Sequence, residues 1–205
     1  MGAYVFCLEP EKEIFNKILN LKSMVKTLSG NQQYLCDPPH MTLYLGKFRN
    51  FFGKRFDSFI QDTLREINSL NLNLEGWEVF GPDIITGKET LVCKVEENKL
   101  FKDLQKKLVD FLLRYKKDKV LRRYRNGQTF QSNLQLNITK FGYPFIGEVW
   151  KPHLGIASFN EKDFNKVYPH LQNLELIGNY NVQSLVVYKL NDKNDKLKEV
   201  KRYKI

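Results

Sequence analysis

The chain has 205 residues, 42% of them hydrophobic and 13% aromatic, with 7 Pro and 12 Gly. That composition excludes a disordered or low-complexity chain, and it is enough for one good core or two small lobes. The formal net charge is +10, unevenly spread: residues 99–125 hold eleven Lys/Arg against three Asp, and residues 189–205 hold seven against three acidic residues. A localised basic surface suits a phosphate-rich partner, although a solvated helix face plus a charged tail would give the same count.

No apolar run approaches the roughly 18 residues that a membrane span needs, so no membrane association is expected. The stretch MGAYVFCLEPEKE is apolar for only a few residues and then acidic, unlike a signal peptide. Cys7, Cys36 and Cys93 are far apart and odd in number, which points to free thiols in a reducing, cytoplasmic compartment. A monomer without an obligate protein partner is expected.

Residues 3–8 read as a short buried strand. A helix follows Pro10, with Ile14, Ile18, Leu21 and Val25 on one face, and Ser29-Gly30-Asn31 breaks it. Pro38-Pro39 leads into a strand beginning His40-Met41-Thr42-Leu43-Tyr44. Residues 56–70 have helical spacing at Phe56, Phe59, Ile60, Leu64 and Ile67. Two strands, Leu72 to Phe80 and Leu91 to Val95, are separated by Gly-Pro-Asp and Thr-Gly-Lys turns. A helix over about 99–115 carries an apolar stripe of Leu100, Leu104, Leu108, Phe111, Leu112 and Tyr115, with lysines opposite.

Residues 116–132 read as a basic loop, and the Leu/Ile alternation of 134–138 predicts a strand. Trp150-Lys151-Pro152-His153-Leu154-Gly155-Ile156-Ala157-Ser158-Phe159 is a second strand-like run, and Asn160 with Asp163 signals the start of a helix over 161–169. Leu174 to Ile205 reads as two or three strands. One block therefore occurs twice: a Pro-His opening a strand, then a helix, then more strand. A duplicated α/β unit predicts two lobes facing each other across a cleft.

On a strand, residues i and i+2 share a face. His40 and Thr42 are thus expected on one side, with Tyr44 further along it, and His153 with Gly155 likewise. Ser158 is expected on the face opposite His153. Two imidazoles meeting at one phosphate form a workable acid–base pair, because an ordinary pKa near 6.5 leaves one neutral and the other protonated. Thr42 can hydrogen-bond a non-bridging phosphate oxygen. With only three histidines and no Cys/His cluster, no metal or other cofactor is called for. Pro-His alone is a weak signal, since His170 also follows a proline; it lies late in a helical pattern and reads as structural or surface.

His40-Met41-Thr42-Leu43 and Trp150-Lys151-Pro152-His153-Leu154-Gly155-Ile156 resemble the two His-x-Thr motifs of the 2H phosphoesterases, the superfamily of the bacterial 2′–5′ RNA ligase-like proteins. The resemblance covers nearly the whole chain as a single domain of two intertwined lobes. It implies a bilobal α/β (α+β) fold, two pseudo-twofold β-sheet lobes with helices outside and a central cleft. It also implies a metal-independent phosphodiesterase with His40 and His153 as the catalytic pair, acting on RNA, an oligonucleotide or a cyclic nucleotide. The departure is Gly155, which stands where the second motif would carry Thr or Ser; it is carried over only as a site-lining position. Arg122, Arg123 and Arg125 are candidate phosphate contacts at the cleft edge, and Tyr124 a candidate base-stacking partner. A non-catalytic RNA- or nucleotide-binding module that keeps the cleft is the alternative.

Overall fold

The computed structural model describes residues 2–67, 69–117, 120–124, 132–191 and 196–205. The elements in chain order are β1 (Gly2–Pro10), α1 (Lys12–Ser29), β2 (Met41–Phe48), α2 (Lys54–Arg65), β3 (Asn71–Phe80), β4 (Glu89–Val95), α3 (Lys99–Leu113), α4 (Ser132–Phe141), β5 (His153–Phe159), α5 (Glu161–Leu171), β6 (Ile177–Leu190) and β7 (Leu197–Lys204). Every pairing is antiparallel, in the order β2-β1-β6-β3-β4-β5, with β7 also on β6. Strand β6 joins two halves. Its residues 182–190 pair with β1, and 184–190 also with β7; residues 177–181 pair with β3. The expected duplication is visible as β2–α2–β3 against β5–α5–β6.

Helices cover the outer faces. On the first half, the Tyr44 and Phe48 rings pack on Phe6 of β1, Phe6 meets Phe56 of α2, and Phe56 in turn meets Phe111 of α3. Phe6, Tyr44, Phe48 and Phe56 are among the largest fully buried side chains, and burying one such ring stabilises the fold by about 1.5–3 kcal/mol. On the second half, α1 and α5 pack together against β5. The helix after the first strand thus serves the second half, which intertwines the two.

Local signals explain most boundaries. Asn160 accepts from the Asp163 N–H and caps α5, as expected. Asn98 does the same for α3 through the Phe101 N–H. Gly30, at φ 74°, ends α1. Two expectations fail. Residues 134–138 are not a strand but part of α4: Leu136 is 69% exposed and only Ile138 is buried, so the short alternation had no sheet to join. In α3 the inner face is rotated from the expected stripe. Leu100 is exposed, whereas Phe101 and Gln105 point inward.

Candidate active site

Strand register decides which side chains reach the cleft. In β2, Thr42 pairs with Cys7 and Tyr44 with Phe6, so Leu43 is an extra residue. In β5, Gly155 pairs with Val92 and Ala157 with Leu91, so Ile156 is extra. Each histidine strand thus carries a one-residue β-bulge at the third position after its histidine. A bulge reverses the alternation beyond it. Tyr44 is therefore not on the His40 side: it is fully buried on the helix face, donating from its hydroxyl to Phe141 O at 2.7 Å. Ser158 is correspondingly turned onto the His153 side. It is fully buried there, with its Oγ 2.8 Å from Thr86 Oγ1, so it still supplies no hydroxyl to the cleft.

The first bulge is held from two directions. Trp150 Nε1 donates to Thr42 O at 2.9 Å, and Gln105 Nε2 donates to Leu43 O at 2.9 Å. Gln105 also donates to Phe145 O and accepts from the Gly147 N–H. Trp150, three residues before His153, therefore fastens the backbone of the other motif.

His40 and His153 have the same local geometry. His40 Nδ1 lies 2.7 Å from Pro38 O and His153 Nδ1 lies 2.8 Å from Lys151 O, in each case the carbonyl two residues upstream. A carbonyl only accepts, so Nδ1 carries the proton and Nε2 is left as the titrating atom of each ring. Both rings keep some solvent contact while protein walls them on most sides. Burial lowers the His40 pKa to about 4, the Pro38 carbonyl opposing and the charges of Lys22 and His153 adding to it. His153 is also lowered by burial, against the Lys151 carbonyl and the carboxylates of Asp83 and Glu78. The bond from Trp150 to Thr42 O and the packing of β2 on β5 bring the two motifs together.

The register extends the site. Thr42 faces Cys7 across the β1–β2 ladder, and burial pushes the Cys7 thiol well above its ordinary pKa and so keeps it neutral. Tyr188 stands with its ring 6.1 Å from His40, and Glu9 behind it is gripped by both Arg202 guanidinium nitrogens. Beside His153 the Phe80 ring lies edge-on at 4.9 Å, with Lys151 Nζ over it at 5.6 Å. In the second half, Gly155 and Val92 occupy the places that Thr42 and Cys7 occupy in the first. A Cβ on Gly155 would meet nothing within 4 Å, so the glycine is not imposed by crowding.

Among the basic candidates, Arg122 is exposed in a short 3-10 turn, Arg122–Tyr124. Arg123 is near enough to Tyr34 and Tyr143 to act on their phenols. Tyr124 is 5% exposed with its ring against Tyr143, at 6.2 Å. Arg125 lies outside the described residues. His170 is exposed in the last turn of α5. Among the described residues no group of three His, Cys, Asp or Glu could hold a metal ion, and no helix is long and apolar enough to cross a membrane.

Reading residues alone missed Lys22, Cys7, Glu78, Phe80 and Asp83. Only Lys22 carried a signal: it sits four residues after Ile18 and three before Val25, a core spacing.

A family profile described as the 2′-5′ RNA ligase superfamily matches residues 10–194. A search of curated proteins found no match. Among solved structures, TT0787 of Thermus thermophilus is similar at a TM-score of 0.54 and 12% identity, over 98% of this chain and 97% of that one. Escherichia coli LigT complexed with NADP+ is similar at a TM-score of 0.50 and 10% identity, over 100% of this chain and 97% of that one.

Proposed function

The chain belongs to the 2′-5′ RNA ligase superfamily, and on that premise we propose that it is a metal-independent phosphodiesterase acting on a ribose-linked phosphodiester through His40 and His153. Superfamily membership supports a phosphoesterase-type activity; the substrate and the residue roles are our reading. The observation that carries it is the repeated bond from Nδ1 to the i−2 carbonyl, which leaves the Nε2 atom of each ring for proton transfer.

For a 2′–5′ linkage, the neighbouring 3′-hydroxyl attacks phosphorus and loses its proton to one imidazole. The bond from phosphorus to the 5′-oxygen breaks, and the other imidazole gives that oxygen a proton. The products are a 2′,3′-cyclic phosphate and a 5′-hydroxyl. For a cyclic phosphate, water takes the place of the ribose hydroxyl. Thr42 donates a hydrogen bond to a non-bridging oxygen, stabilising charge as it develops. Arg122 and Arg123 add positive charge for a polyanionic substrate. A nucleotide-type ligand is consistent with the complex of LigT with NADP+.

The test is turnover of 2′–5′ linked, 2′,3′-cyclic and cyclic dinucleotide substrates in EDTA. Cleavage that survives the chelator and falls at least ~100-fold in both His40→Ala and His153→Ala supports the reading, since positioned acid–base groups contribute about that much or more. The absence of a second hydroxyl at Gly155 favours one rival, a binding module without turnover. Tight nucleotide binding with no cleavage of any substrate would establish that rival.

A further inference from the structure

Lys22 is out of place on the inner face of α1. It is 4% exposed, between Ile18 and Val25, both fully buried. Its ammonium donates to Tyr34 O at 2.7 Å and to Asp37 O at 2.8 Å. Both acceptors are main-chain carbonyls of the turn between α1 and β2, so neither cancels the charge. Tyr34 is the one non-glycine residue at positive φ among the described residues, at 70°, a strained conformation that persists where its surroundings hold it. The carbonyl after Asp37, Pro38 O, is the one bonded to His40 Nδ1. A continuous line thus runs from the Lys22 ammonium, through a fastened and strained turn, to the ring orientation of His40.

Resting on the two-histidine reading above, we propose that Lys22 is a positioning residue that makes His40 the proton acceptor of the pair, leaving His153 as the donor. The surroundings of the two rings differ in sign. Near His40 are the Lys22 cation from α1, the neutral thiol of Cys7 from β1 and the Tyr188 phenol from β6; the Asp37 carboxylate of the turn before β2 acts on Lys22 and Cys7 but is not among the charges acting on His40, and Glu9 of β1 and Glu199 of β7 are both engaged by Arg202. Near His153 are Glu78 of β3 and Asp83 of the following turn. Lys151 reaches Glu78 at 3.4 Å, and Lys94, the register partner of His153, is engaged by Glu75 at 2.8 Å. Asp83 is fixed by the Ile85 N–H at 2.7 Å and the Thr90 hydroxyl at 2.8 Å. A buried cation opposes a second positive charge on His40, whereas carboxylates favour one on His153. In the reaction, His40 Nε2 takes the proton of the attacking ribose hydroxyl as the oxygen–phosphorus bond forms. His153 Nε2–H gives its proton to the departing oxygen as the other phosphorus–oxygen bond breaks.

Two substrates separate the roles: a 2′–5′ adenylyl dinucleotide, and adenosine 2′-(4-nitrophenyl phosphate), whose nitrophenolate leaves without an acid. His153→Ala is expected to lose at least ~100-fold on the dinucleotide yet stay within ~10-fold of wild type on the nitrophenyl ester, while His40→Ala loses at least ~100-fold on both. The acid limb of kcat/KM is expected to move up by about one pH unit in Lys22→Met and to stay in place in Lys22→Arg, which keeps the cation, whatever happens to kcat. The reverse histidine pattern, or equal losses on the ester, overturns the assignment. So does an unmoved limb in a Lys22→Met protein that still unfolds cooperatively. If Lys22→Met does not fold, the histidine pattern and the limb of Lys22→Arg decide. Undiminished dinucleotide cleavage in both histidine variants instead sinks the two-histidine reading itself.

Discussion

Gln105→Leu removes a polar clamp from the core at nearly constant side-chain volume. Gln105 is 2% exposed, and its amide makes three bonds: to Leu43 O at 2.9 Å, to Phe145 O at 3.2 Å, and from the Gly147 N–H at 3.1 Å. The Leu43 carbonyl belongs to the bulge residue of β2, and its bond to Gln105 is buried. Stranding it costs roughly 2 kcal/mol, and the other two groups, nearer the surface, cost about 0.5 kcal/mol each because water can replace the amide. The sum is about 3 kcal/mol, or a fall in Tm of roughly 6–12 °C for a chain of this size. Urea unfolding checks it, with the m-value expected to stay constant so that the midpoint carries the change. A loss below about 1 kcal/mol would refute the inference that Gln105 holds the bulge. The variant should also raise KM for any phosphodiester the protein cleaves, because the bulge is what keeps Thr42 on the cleft side and Tyr44 off it.

Three further outcomes are expected. Gly155→Thr should fold with stability equal to wild type or up to ~1 kcal/mol higher, since its Cβ enters open space and glycine is a poor strand residue; thermal unfolding checks this, and a rise in kcat/KM would show that the second hydroxyl is useful. Stability should fall as pH drops from about 6.5 to about 4: over that window the unfolded chain protonates His40 while the folded chain resists, so acid favours unfolding, and His40→Gln should flatten this part of the pH–stability curve. Replacing Arg122 and Arg123 together with Gln should raise KM and weaken its dependence on salt, while His170→Ala should leave turnover unchanged in the same assay.

The candidate site was more legible in the sequence than its surroundings. His40, Thr42, His153 and Gly155 lie within the stretch before each bulge, where simple alternation holds. Tyr44 and Ser158 lie beyond the bulges, and an inserted residue leaves no mark in a run of apolar side chains. The same limit misplaced residues 134–138: period two over five positions does not distinguish a strand from a helix with one buried side chain. Cys7, Glu78 and Asp83 were invisible for a different reason, since only strand pairing or a turn brings them beside the motifs. Lys22 was legible in principle, because a lysine at core spacing on an amphipathic helix requires a buried acceptor.

The shared strand β6 has a mechanical consequence. Two lobes that close on a ligand like jaws need a hinge, a place where few bonds cross. Here one strand carries both ladders, β6 pairing with β1 through residues 182–190 and with β3 through 177–181, and α1 ties the chain of the first half to the face of the second. The packing of α1 across the two halves opposes a rigid-body swing of one against the other. Neither half can be excised as an independent unit, because each would lose the strand that completes it.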